Sequence, residues 1–185
     1  MKRLMRLVSG AAVLAAVFTF NTHAAAVRPG QVDFGTLSPP AGGGQFVEIN
    51  ISDTLFSLAT SLVEKPEPAL AGLLKGLHRV HVTVVGLDDQ NRGELRERMA
   101  TIRKDLDAKG WERVVTVRQQ AQDVAICLKT AEGNAVDGLV VTVFEEGKQA
   151  VFINVVGNVR PDQLSLLGER LHIDELKKAA KAAKQ

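Results

Sequence analysis

The stretch ERVVTVRQQAQDVAICLKTAEGNAVDGLVVTVFEEGKQAVFINVVG, residues 112–157, decides the fold of this chain. It contains four segments rich in β-branched residues, with short polar or glycine-containing connections between them. Such spacing leaves no room for helices and predicts a meander of strands joined by hairpins. The register of the last hairpin, within residues 137–156, stays open because Glu146 and Gly147 fit either a two-residue or a three-residue loop.

Two further strands and their helices precede this meander. Alternating apolar residues predict strands at residues 46–52 and 79–87. The stretch between them predicts a helix that Pro66 and Pro68 interrupt, followed by a second short helical piece. A longer helix leads into the meander, and a leucine-periodic helix follows residue 159. The apolar positions are Leu55, Leu58, Ala59 and Leu62 in the first helix, Leu95, Met99, Ile102 and Leu106 in the long helix, and Leu164, Leu167 and Leu171 in the last.

The element order β-α-β-α-β-β-β-β-α predicts an α+β fold, a two-layer sandwich. We expect one mixed, mostly antiparallel sheet of about six strands with the helices on one face, its first two strands joined by a right-handed crossover. The reverse face should then be polar and open to solvent. The helix-facing set is Val47, Ile49, Val82, Val84, Val115, Val117, Val124, Ile126 and Leu128, and the open set is Glu48, Asn50, His81, Thr83, Thr116, Arg118, Cys127, Lys129 and Thr142.

The amino-terminal residues predict export. Basic residues precede an apolar run at residues 7–20, and small residues follow it. At about 1.5 Å per residue this run is shorter than the ~30 Å hydrocarbon core of a membrane. We therefore expect a signal peptide over residues 1–26, cleaved after Ala24 or Ala26, a periplasmic location, and no transmembrane segment after processing.

After the predicted signal peptide, the composition divides the chain into two segments. Residues 27–44 are rich in proline and glycine and predict a flexible lead-in, laid in part against the domain. Residues 45–185 then form a single α+β domain with a lysine- and alanine-rich carboxy-terminal helix. Because the leader holds three of the 23 basic residues and none of the 21 acidic ones, the mature charge is 20 − 21 = −1. That near balance argues against nucleic-acid binding.

Two turns resemble ligand-binding motifs but lack residues that those motifs require. Gly157 precedes a predicted helix start, but a phosphate-binding turn needs several glycines and a lysine, and this turn has one glycine. Asp89 and Asn91 resemble the start of a calcium loop, yet Glu94 and Ala100 occupy the positions where that loop requires Gly and Glu.

The sequence also gives little support for a metal site or for a catalytic nucleophile. His78 and His81 are an odd number of residues apart on a strand, so their side chains point to opposite faces. Cys127 is the single cysteine and lies within a strand, where it could meet His81 only across the predicted open face. We predict no catalytic residue, no metal ligand and no cofactor.

The stretch VFINVVGNVRPDQLSLLGERLHIDEL, residues 151–176, is similar to a family of exported bacterial proteins called domain of unknown function 4252. The similarity is carried by residues 154–157, Pro161, Gln163, Leu164, Leu167 and Gly168. The resemblance implies a periplasmic or cell-envelope protein of bacteria. It implies no particular activity and no catalytic residues.

These observations favour a non-enzymatic binding module that recognises an envelope protein or a cell-surface component. Two alternatives stay open: a carrier of a small apolar or lipid ligand between helices and sheet, and an enzyme that uses Cys127 and His81. The sequence does not determine the oligomeric state. The predicted partner-binding residues on the open face are Glu48, Asn50, His81, Thr83, Thr116, Arg118 and Lys129.

Overall fold

The computed structural model describes residues 28–131, 135–160 and 163. The predicted signal peptide and, apart from Gln163, the predicted carboxy-terminal helices lie outside these residues. No helix within them is long and apolar enough to cross a membrane. The elements are β1 (Phe46–Ser52), α1 (Asp53–Val63), α2 (Pro68–Gly76), β2 (Leu77–Gly86), α3 (Arg92–Ala108), β3 (Glu112–Arg118), β4 (Gln122–Thr130), β5 (Val136–Glu145) and β6 (Gln149–Val159).

The strands form one six-stranded sheet in the order β1-β2-β6-β5-β4-β3. The α+β class, the strand number and the element order up to β6 are confirmed. Every pairing is antiparallel, so the predicted mixed sheet and the crossover between β1 and β2 are wrong. The reason lies near Pro66 and Pro68, where α1 and α2 fold into a hairpin and return the chain beside the end of β1, with Ser52 opposite Arg79.

The last hairpin has a three-residue loop, which settles the register that the sequence left open. Glu145 pairs with Gln149 across β5 and β6, and the amide of Lys148 donates to the carbonyl of Glu145 at 3.0 Å. Gly147 adopts a φ of 70°, a left-handed conformation that favours glycine.

One face of the sheet is aliphatic, and we call it the aliphatic face. Helices α1 and α2 pack on it through Phe56 and Leu73. The division of strand residues between the two faces agrees with the predicted alternation. One row of paired residues crosses all six strands: Ile49, Val82, Ile153, Val141, Ile126 and Val115.

Helix α1 turns a different side toward the core from the predicted one. Phe56 is buried at 6% exposure, whereas Leu55, Leu58 and Leu62 are 51%, 61% and 72% exposed. These three leucines, which we call the leucine stripe, belong to the apolar face that helical spacing predicts for α1. Since α1 is apolar on two sides, hydrophobic periodicity could not tell which side the sheet would take.

Helix α3 covers the opposite face, so the predicted placement of all helices on one face is wrong. Its Met99, Ile102 and Leu106 pack with Val140 and Phe152, whose neighbours along the strands point to the aliphatic face. Strands β5 and β6 are thus apolar on both faces, as is typical of strands buried on both sides. We call this second side the α3 face.

The proline- and glycine-rich segment packs beside α3 on the same face. Phe34 is 3% exposed, and its ring centroid lies 5.6 Å from that of Phe152. Asn154, itself buried, accepts a hydrogen bond from the amide of Val32 at 3.0 Å and donates to the carbonyl of Gly30 at 2.9 Å. Part of the proline- and glycine-rich segment, including Phe34, therefore belongs to the core.

Candidate functional site

A cleft of about 350 Å³ opens between α3 and strands β3, β4 and β5 on the α3 face. We call it the cationic cleft, because five of its lining side chains are basic and two are acidic, a net charge of 5 − 2 = +3. The whole chain without its leader is close to neutral, so this concentration of charge is local. The lining residues are Arg96, Arg103, Lys104, Arg113 and Arg118, with Asp107 and Asp123, and Met99, Ala100 and Phe144.

Helical spacing explains the three basic residues that α3 supplies. Arg96 and Arg103 are seven residues apart and Lys104 follows directly, so all three project from one side of the helix. Arg96 lies over the ring of Phe144 at 4.7 Å, which places its guanidinium at the wall of the cleft.

A bulge explains the two basic residues on β3. Arg113 and Arg118 are five residues apart, and a regular strand would send them to opposite faces. The pairing with β4 shifts between Arg113 and Val115, and this irregularity brings both arginines to the α3 face. Sequence reasoning missed the cleft because such a shift is not visible in strand alternation.

Arg103 is the most firmly held of the basic residues. Its Nη1 donates to both carboxylate oxygens of Asp123, at 2.9 and 2.8 Å, and its Nε donates to the hydroxyl of Thr142 at 3.0 Å. The residue is 8% exposed, yet its buried Nη2 has no hydrogen-bond partner among the described residues. The guanidinium is therefore pre-oriented and keeps one unused donor.

The other basic residues divide into paired and unpaired groups. Arg113 donates to Asp107 at 2.6 Å, and Arg96 forms an ion pair with Glu146 in the loop after β5. Lys104 and Arg118 are exposed and form no hydrogen bond or ion pair within the part of the chain that the structure describes. Two positive charges at the cleft are thus without a counter-charge.

Four of the seven predicted binding residues lie toward the β1 edge of the sheet. Glu48 and Asn50 are exposed on β1, while Thr83 on β2 is only 2% exposed. The ring of His81 stacks on Phe34 with centroids 5.9 Å apart, and its Nε2 lies 3.4 Å from Oε1 of Glu48. A partner could reach the edge residues but not Thr83.

The other three predicted residues lie at the opposite edge. Thr116 and Arg118 are exposed on β3, and Lys129 on β4 donates to the carbonyl of Lys109 at 2.8 Å, beside the end of α3. Helix α3 and the amino-terminal segment around Val32, Phe34 and Leu37 cover the sheet between the two groups. The predicted open polar face is therefore wrong, and of the seven residues Arg118 alone lines the cationic cleft.

The comparison with protein families assigns the chain. The model of the family described as "Domain of unknown function (DUF4252)" matches residues 42–167. The chain belongs to the DUF4252 family. The match runs from β1 through β6 and includes every residue that lines the cationic cleft. No curated protein and no solved structure shows a significant match to the chain.

The Cys127 thiol and the His81 imidazole are far apart in this DUF4252 domain. Cys127 pairs with Val140, which pairs with Asn154, which pairs with His81. Three strand spacings of about 4.8 Å separate the two side chains by roughly 14 Å. Cys127 is 1% exposed, and burial raises the pKa of its thiol. The Cys127 and His81 pair does not form.

Two further candidates in the DUF4252 chain, Gly157 and His78, have structural roles. Gly157 lies within β6, and a Cβ there would approach the carbonyl oxygen of Gly76 to 2.2 Å, so glycine is needed for close packing against the end of α2. Nδ1 of His78 lies 2.9 Å from Asp53, and this contact holds the pKa of the Asp53 carboxyl below its usual value. Among the described residues no cluster of three or more metal-ligating side chains occurs.

Proposed function

We propose that this DUF4252 protein is an exported, non-enzymatic binding module of the bacterial cell envelope that holds an anionic ligand in the cationic cleft. The observation that carries the proposal is the state of Arg103, which is nine-tenths buried, fixed by Asp123 and Thr142, and left with an unused Nη2 donor. A buried donor without a partner has a desolvation cost of about 1–3 kcal/mol that a ligand or water could offset.

The charge of the cleft supports the same ligand class. Its five cations lie beside only two carboxylates, so the positive potential is focused between α3 and β3. The guanidinium group is a planar fork of donors that can bind two oxygens of a carboxylate or of a phosphate at once. An anion between Lys104 and Arg118 would relieve the repulsion between the two unpaired charges.

A binding experiment on the rim of the cleft tests this function. The double variant Lys104→Gln with Arg118→Gln removes both unpaired charges without breaking a described contact. Calorimetric titration with heparin, as a general polyanion probe, should give an affinity at least about tenfold lower for the variant. Lys65→Gln, in the turn between α1 and α2, removes a distant exposed charge and serves as the matched control. Equal binding by all three proteins would refute the proposal.

Export is the second part of the proposal and has its own test. The support is the basic start, the apolar run at residues 7–20 and the small residues that follow. Mass spectrometry of the protein from a periplasmic extract should show a chain that begins at Ala25 or Val27. A chain that keeps Met1 and fractionates with the cytoplasm would overturn this part alone.

Carriage of an apolar or lipid ligand is a second candidate function. It is favoured by the leucine stripe on α1 and by Val47 and Ile49 of β1, which are 37% and 44% exposed. Against an internal chamber stands the tight packing under α2, where Leu73 is 2% exposed. Native mass spectrometry of the protein purified from its own cell envelope should show a retained lipid mass if this function holds, and a clean mass would exclude it.

A further inference from the structure

We infer that the cationic cleft is selective for a compact anion with two negative charges, of which a terminal phosphate monoester is the chemical type. The inference rests on the proposed function, because it specifies the ligand of the same site. It follows from the number of positive charges at the cleft that have no counter-charge, and from the unused donor of Arg103, whose guanidinium is held in place.

Three of the five basic residues are already compensated. Arg103 is paired with Asp123, Arg113 with Asp107, and Arg96 with Glu146 outside the cleft lining. Each pair is local, so a ligand would have to break it in order to use the full charge of that residue.

Two positive charges, on Lys104 and Arg118, remain without a counter-charge among the described residues. They come from different elements, since Lys104 lies on α3 and Arg118 at the end of β3. A monoanion would neutralise one of them and leave the other beside it. A group with two charges on closely spaced oxygens neutralises both, and this favours the monoester over the diester.

Arg103 adds a directional donor to the lining of the same cleft. Its guanidinium cannot turn freely, because Nη1 and Nε are both engaged. The unused Nη2 is a donor rather than a free charge, since the net charge of Arg103 is already balanced by Asp123. The site therefore combines two free cations with one fixed donor, which suits an oxyanion with several acceptor oxygens.

Two soluble probes that differ by one charge test the inference. Glycerol phosphate carries close to two negative charges at pH 7.5, whereas dimethyl phosphate carries one. In calorimetric titrations at low salt, glycerol phosphate should bind at least about tenfold more tightly, the ratio expected for one additional charge-assisted contact. The preference should disappear in Lys104→Gln and in Arg118→Gln and should persist in Lys65→Gln.

The possible outcomes separate this inference from the proposed function. Equal affinity for the two phosphates, together with heparin binding that depends on Lys104 and Arg118, would overturn the charge selectivity and leave anion binding intact. No binding of either phosphate and no dependence of heparin binding on those residues would overturn both. A preference that survives in both single variants would place the selectivity elsewhere and would also overturn the inference.

A vesicle experiment distinguishes a lipid headgroup from a soluble ester as the source of the phosphate. Vesicles that contain phosphatidic acid present a monoester, and vesicles that contain phosphatidylglycerol present a diester of similar lipid structure. Co-sedimentation with the first and not with the second supports a lipid headgroup as the ligand. Binding of soluble glycerol phosphate without co-sedimentation supports a soluble ester, and equal co-sedimentation with both vesicles contradicts the charge selectivity.

Discussion

Arg103 on α3 and Asp123 on β4 are joined by two hydrogen bonds from one guanidinium nitrogen, at 2.9 and 2.8 Å. The pair connects the helix to the α3 face, which the sequence predicted to be open. It also fixes the guanidinium that lines the cationic cleft. One interaction therefore contributes both to the stability of the second layer and to the geometry of the proposed binding site.

The variant Asp123→Asn should lower the free energy of unfolding by about 1–3 kcal/mol, because it leaves the charge of a buried arginine without its partner. The value is reduced from that of a fully buried pair, since the Asp123 side chain is 40% exposed. Urea denaturation followed by circular dichroism measures the change. Glu94→Gln, which breaks the exposed pair with Arg98 on α3, is the control and should cost less than about 0.5 kcal/mol. Equal losses in both variants would contradict this assignment.

The variant Asn154→Leu should release the amino-terminal segment from the sheet. It removes the bonds to Val32 and Gly30 and a third one to the carbonyl of Leu139 at 3.2 Å. We expect a loss of about 2–4 kcal/mol and faster hydrogen exchange at the amide of Val32. Asn158→Ala, at an exposed position of the same strand, should leave both measurements unchanged. Unaltered exchange at Val32 in the Asn154 variant would show that the segment is held by other contacts.

The variant Gly138→Ala should be strongly destabilising, because its Cβ would lie 2.5 Å from Cα of Gly30 and 2.6 Å from the ring of Trp111. A densely packed core leaves no space into which the Gly30 backbone and the Trp111 ring could both shift. Thermal unfolding should shift downward, with altered tryptophan fluorescence. Gly93→Ala, in open space near the start of α3, should instead stabilise the protein by about 0.5 kcal/mol through helix propensity. A tolerated Gly138→Ala would show that the amino-terminal segment does not pack as described.

Substitutions in α1 and α2 should separate the exposed leucine stripe from the core. Leu58→Gln should change the free energy of unfolding by no more than about 0.5 kcal/mol, because Leu58 is 61% exposed. Leu73→Ala should cost about 2–5 kcal/mol, since Leu73 is buried at 2% exposure. Chemical denaturation measures both. A large loss for Leu58→Gln would mean that the leucine stripe is covered in solution.

The Cys127 thiol should react slowly with iodoacetamide at neutral pH in the native protein. It is 1% exposed, and burial raises its pKa, so both access and thiolate population are low. The rate, followed by mass spectrometry, should rise by orders of magnitude in denaturant. Rapid native labelling would revive the hypothesis of a reactive cysteine that the distance to His81 argues against.

Local patterns were enough to predict much of the fold. The alternation in segments such as 46–52 divided the residues of the two predicted sets between the faces correctly, because the side-chain period of two in a regular strand does not depend on neighbouring strands. The short connections after Arg118 predicted the antiparallel meander, and the residues near Asn154 indicated the DUF4252 family. These features depend on residues that are close in sequence.

Three features depend on contacts between distant residues, and only the tertiary structure decided them. The sequence predicted α3 on the same face as α1, but β5 and β6 are apolar on both sides and accept a helix on either face. The outward orientation of the leucine stripe depends on which side of α1 the sheet accepts. The cationic cleft requires the bulge at Arg113 and the packing of α3 across β4. Neither feature can be recognised from the periodicity of apolar residues in the sequence. Periodicity indicates which residues share one face of a helix or strand, whereas packing across the whole domain decides whether that face is covered and by which surface.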